Sequence, residues 1–168
     1  MNEPDSGERV VLQVALSAAP EIPPEQDFTS WVDAALELSA ADVQPDACVT
    51  IRLVDSAESR ALNTAYRQVE KPTNVLAFPA AQPTLPNGVV EPPELGDLVI
   101  CQEVVSREAG EQGKRERDHL AHLVVHGTLH LVGYDHQDDA DAAAMEAIEI
   151  KVMRRLGFAD PYECDETD

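Results

Sequence analysis

The sequence predicts an α+β fold, a single domain in which a small mixed sheet of about four strands packs with about five helices. Three observations point there. Short valine-rich apolar runs interleave irregularly with longer stretches of helical periodicity. Proline or glycine marks most changes from one pattern to the next. A length of 168 residues suits one hydrophobic core, and no internal repeat or compositional break marks a second. Neither G-x-G-x-x-G nor G-x4-G-K-[ST] occurs, which disfavours a doubly wound dinucleotide fold and a nucleotide cofactor.

Val10 to Leu16 is short, apolar and valine-rich, so it predicts the first strand, which Pro20, Pro23 and Pro24 break. From about Glu25 to Ala41, Phe28, Trp31, Val32, Ala35 and Leu38 recur at helical spacing. Ala47 to Val54 predicts the second strand. Asp55 with Glu58 resembles a capping box, starting a helix with Leu62, Tyr66 and Val69 on one side that Pro72 ends. Val75 to Phe78 predicts the third strand, closed by Pro79, and residues 80–96, with four prolines and two glycines, a surface loop. Leu98 to Cys101 predicts the fourth strand, and residues 103–112 a short helix ended by Gly113. Two longer helices follow, from about Arg115 to Leu131 and from Asp138 to Leu156, the latter stopped at Gly157. The core thus spans about 10–157. Residues 158–168 carry five acids and no base, which predicts a frayed acidic tail.

The amino terminus lacks a basic region followed by an apolar run, and no stretch approaches the roughly 18 residues of a membrane span. Cys48, Cys101 and Cys164 are odd in number and far apart, as reduced thiols would be. A cytoplasmic protein that touches no membrane is the expectation. The net charge of −20 argues against coating by nucleic acid through bulk electrostatics, but leaves room for a local basic groove. Arg52, Arg60, Arg67 and Lys71 form one slightly positive segment, and Arg107, Lys114, Arg115 and Arg117 a second, each also readable as a solvated helix face.

The most informative stretch runs from His126 to His136. His126 and His130 share one face of a helix, and Gly133 can end that helix in a left-handed turn that brings His136 back toward them. Three imidazoles then surround one metal ion at the end of a central helix, leaving a fourth position for water. His119 and His122 lie on the same stripe, in packing, ligand-orienting or substrate roles. The spacing is also that of the metzincin protease motif, H-E-x-x-H-x-x-G-x-x-H. The glutamate that serves those proteases as general base is replaced here by Gly127, and no residue of the stretch takes its place.

Four motifs in order complete the picture: Leu62-Asn63-Thr-Ala-Tyr66-Arg67, Pro72-Thr73-Asn74-Val75-Leu76-Ala77-Phe78-Pro79, Leu95-Gly96-Asp97-Leu98-Val99-Ile100, and the histidine stretch itself. From about Val10 to Leu156 the chain resembles the YbeY family of bacterial rRNA-maturation endoribonucleases. The resemblance implies a zinc-dependent, single-strand-specific endoribonuclease acting in 16S rRNA 3′-end maturation and late ribosome quality control. It implies one Zn2+ held by His126, His130 and His136 plus water, and Arg67 as the catalytic arginine. It also implies RNA partners, namely rRNA and the ribosomal subunit, together with ribosome-associated proteins. A guanidinium matches a phosphate bidentately and stabilises charge on phosphoryl oxygens. Ala77 departs from the family's serine. Asp135 is a candidate to orient an imidazole or to form a turn, whereas Asn74 and Asp97 either serve the site or simply cap or terminate a strand.

Two other readings stand beside this one. A ribosome-assembly factor with mainly structural zinc, and cleavage that is weak or supplied by a partner, suits the net charge of −20. A metallopeptidase requires a carboxylate near the metal, for which Glu146 and Glu149 on the last helix are the candidates.

Overall fold

A computed structural model describes residues 9–16, 21–39, 47–80, 94–134 and 138–162. The elements are β1 (Val10–Ala15), α1 (Glu25–Ser39), β2 (Cys48–Val54), α2 (Ser56–Arg67), β3 (Val75–Pro79), β4 (Glu94–Cys101), α3 (Gln102–Gln112), α4 (Glu116–Leu131) and α5 (Asp139–Arg155). The sheet has the order β1-β2-β4-β3, with β1, β2 and β4 parallel and β3 antiparallel to β4. Among the described residues, a mixed sheet of four strands with five helices bears out the α+β expectation. No described helix is long and apolar enough to cross a membrane.

Alternation along the strands divides the core in two. Val49, Ile51, Leu53, Leu98 and Ile100 face one side, where Phe28, Trp31 and Val32 of α1, Leu120, Val124 and Leu129 of α4, and Met145 and Val152 of α5 close over them. Val54, Leu76, Val99, Cys101 and Val104 form a smaller cluster on the other side, against Leu62 of α2. Packed among α1, α3, α5 and the sheet, α4 is buried on nearly every side, which explains why its apolar residues show so little one-sidedness.

The structure corrects four expectations. β4 begins at Glu94 instead of Leu98, because the backbone of Glu94, Gly96 and Asp97 pairs with β2 whatever the side chains prefer. Asp97 is therefore exposed in mid-strand, opposite Thr50 and Phe78, and ends nothing. Asp55 precedes α2 without a side-chain cap bond; Glu103 accepts from Ser56 N–H at 2.8 Å, and Glu58 pairs with Arg52 at 2.7 Å instead of reaching back. The tail does not fray from Phe158, since Phe158 packs on the core and Lys114 Nζ donates to the Pro161 carbonyl at 2.9 Å. Residues 40–41 of the expected first helix, 81–93 of the proline-rich loop and 163–168 of the tail lie outside the described residues.

Candidate active site

The last two turns of α4 present His126 and His130 side by side, with their Nε2 atoms 3.2 Å apart and ring planes at 77°. Two imidazole ligands about 2.05 Å from a tetrahedral ion stand about 3.3 Å apart, so this pair has the separation a metal requires. The carboxyl end of a helix, with its exposed carbonyls, further favours a cation. Past Leu131 the chain turns as the sequence predicts. Gly133 takes φ +107°, its N–H bonds to the His130 carbonyl, and Tyr134 N–H bonds to Leu129. These two bonds form a Schellman cap that ends the helix. Asp135 and His136 come next and lie outside the described residues, among which no group of three or more metal-ligating side chains occurs.

Behind the histidines sits Glu149 of α5, without exposure to solvent. His126 Nδ1 donates to Oε2 at 2.5 Å, while His122 Nε2 at 3.2 Å and the Tyr162 hydroxyl donate to Oε1. Burial alone would raise this carboxyl, but the bonds from His122, His126 and Tyr162 override it and hold the pKa down to about 2. The charge pins one tautomer of His126, with its proton on Nδ1 and the Nε2 lone pair turned toward His130. Glu149 is thus an orienting acceptor with no face toward solvent, not the exposed base a peptidase needs, and Glu146 is on the exposed side of α5. Farther up the stripe, His119 Nε2 bonds Glu108 at 2.9 Å, and Glu108 also accepts from Asn74 Nδ2 at 3.0 Å. Burial keeps His119 below the usual histidine range, although the Glu108 bond opposes this.

Arg67 meets the histidines across a cleft of about 770 Å³, whose walls include Tyr66, Arg67, Asn74, Ala77, His126 and His130. β3, at the sheet edge, lies between α2 and α4 and contributes Val75 to Pro79 to the lining. No Asp or Glu is among the described residues that line it, although the chain's net charge is −20. Arg67 is exposed and pairs with no described carboxylate, whereas Arg9, Arg52 and Arg117 each do. A second cleft of about 1020 Å³ shares Asn74 and His126 but adds Glu108, Asp118 and Asp160, which suits a polyanion less well.

The sequence motifs are what build this cleft. Leu62 packs into the smaller core, and buried Asn63 donates to the Lys71 carbonyl at 2.8 Å. Ser59 Oγ both donates to the Thr73 carbonyl and accepts from Thr73 N–H, so residues 71–73 are stitched onto α2. That stitching sets the last turn of α2, with Tyr66 and Arg67, beside β3. Gly96 takes φ +140°, and a Cβ there would stand 2.3 Å from the Phe78 carbonyl, so only glycine lets β3 lie this close. Gly127 serves α4 in the same way, since a Cβ would meet Leu98 Cδ2 at 2.7 Å. The position where a metzincin carries its glutamate is therefore pressed against the sheet, with no room for that side chain.

Of the sequence candidates, the structure brings Arg67, Asn74, His126 and His130 to one cleft and places His122 behind His126 on Glu149. Sequence reasoning did not single out Glu108 or Tyr162, whose roles rest on contacts across 11 and 13 residues with no local pattern. Glu149 is named by the sequence only as a carboxylate that a metallopeptidase would need near the metal.

The model of the endoribonuclease YbeY family matches residues 16–157. An endoribonuclease YbeY of Alkalilimnicola ehrlichii is 55% identical over 146 residues, covering 86% of this chain and 85% of that protein. A solution structure of a Thermotoga maritima protein covers 91% of this chain and 99% of its own, at a TM-score of 0.49 and 22% identity. With the family match running from α1 through α5 and taking in Arg67 and every histidine of α4, the chain belongs to the YbeY endoribonuclease family.

Proposed function

We propose that this protein is a zinc-dependent endoribonuclease that cuts single-stranded RNA, acting in the cytoplasm on the 3′ end of 16S rRNA and in late ribosome quality control, together with ribosome-associated proteins. The observation that carries the reading is a cleft without described carboxylates in a chain of net charge −20, with Arg67 on one wall and the His126–His130 pair on the other. His126, His130 and His136 would hold the ion. When bound, zinc supplies Lewis acidity toward a phosphoryl oxygen and toward water.

The chain's own residues do the rest. Arg67 offers a planar fork of donors to a phosphate and, with no carboxylate partner among the described residues, gives up none of their ion pairs when it engages. Charge that builds on the phosphoryl oxygens in the transition state is neutralised by that guanidinium. Glu149 keeps His126 in one tautomer and orientation, and Tyr162 and His122 complete its hydrogen bonding so that it does not drift. Asn74, held by Glu108, fixes the start of β3 where both clefts meet.

The test is direct. Purified protein is assayed for bound zinc and for cleavage of a single-stranded 16S rRNA 3′ fragment, before and after chelation and metal return. Cleavage is expected to vanish on chelation and return with zinc, and His130→Ala is expected to lose both metal and cleavage. Full activity in the chelated protein or in His130→Ala would overturn the reading.

A further inference from the structure

We propose that Tyr66 is a nucleobase subsite, a stacking platform for one unpaired base of the strand whose phosphate Arg67 engages. The inference rests on the RNA reading above and adds to it where on the protein a base is held. Tyr66 is 66% exposed, more than any other large hydrophobic residue among those described. A ring that open has π surface available for a base to stack on.

Its exposure is not disorder. The ring rests edge-to-face on Phe78, with centroids 5.1 Å apart and planes at 68°, so its orientation is set while its surface stays open. The turn that carries it is held by the Asn63 and Ser59 bonds to the 71–73 backbone. Tyr66 lines the same cleft as Arg67, His126 and His130. Successive helix residues diverge by about 100°, so Tyr66 and Arg67 point to different parts of a bound strand. A polynucleotide offers that pairing of an aromatic face and a charged phosphate along its length. The absence of described carboxylates from the cleft walls keeps the path open to it.

A base within a duplex already has both faces stacked, so only an unpaired base can take up the platform. Every base has a π face, so the subsite holds any of the four and contributes strand state, not sequence.

The experiment uses the full chain and a short single-stranded RNA carrying 2-aminopurine at successive positions, with binding measured in the chelated protein and cleavage in the zinc-loaded one. Stacking on Tyr66 quenches the analogue at one position near the cleavage point. Tyr66→Ala and Tyr66→Leu are expected to weaken binding about tenfold or more and abolish that quench, while Tyr66→Phe stays within about twofold of wild type. The loss appears in KM more than in kcat. Removing the base at the quenched position weakens wild type to the level of Tyr66→Ala and leaves Tyr66→Ala unaffected. Unchanged melting temperatures separate these effects from misfolding. If wild type binds and cleaves RNA, and the Ala and Leu variants bind and quench as it does, the subsite is overturned while the endoribonuclease reading stands. If wild type neither binds nor cleaves single-stranded RNA, both fall.

Discussion

Glu149 is an ionised carboxylate shut away from solvent, and it is tolerated because His122, His126 and Tyr162 all donate to it. Replacing it by glutamine keeps the shape but turns an amide donor on a donor imidazole. Glu149→Gln is expected to cost about 3 kcal/mol of stability and about 10- to 100-fold in zinc affinity, measured by thermal unfolding and by competition with a chromophoric chelator. At His119 it is the neutral form that burial favours. Its folded pKa lies below the unfolded value, so above pH 6.5 it adds no penalty, and below that the unfolded chain binds the extra proton. Stability therefore falls as pH drops below about 6.5, and chemical denaturation should show a shallower fall in His119→Asn.

Two glycines set how closely the elements approach. Gly96→Ala places a methyl on the Phe78 carbonyl at an unfavourable φ and is expected to cost about 3 kcal/mol. Gly127→Ala gains helix propensity but must displace the buried Leu98 side chain, for a net loss of about 1–2 kcal/mol in denaturant unfolding. The helices and strands themselves were readable because apolar runs, helical spacing and Pro or Gly breaks mark them, even where α4 is buried on nearly every side, and every predicted element is present. What misled was local chemistry overruled by partners outside the helix itself. Glu58 looks like a capping partner but is drawn to Arg52, and Glu103 reaches Ser56 across 47 residues. The opening of β4 escaped notice because Glu94, Gly96 and Asp97 are poor strand formers that the neighbouring strands nevertheless pair.

A net charge of −20 looked like an argument against RNA as a substrate, and the distribution of that charge answers it. Carboxylates occupy the larger cleft and the faces where Arg9, Arg52 and Arg117 are neutralised, but none is described along the walls between Arg67 and His130. Composition sums over the surface and cannot show such a gap; only the fold does. The histidine pair and Arg67 were legible as residues, because their types and spacing carry chemistry. That they share a cleft depends on β3 lying between α2 and α4, which no spacing in the chain encodes. The most direct measurement is therefore cleavage of single-stranded RNA by metal-loaded Arg67→Ala. With zinc content and fold unchanged, kcat/KM should fall at least about 100-fold, the scale of losing one preorganised charge at the phosphoryl group. Cleavage at the wild-type rate would contradict the account.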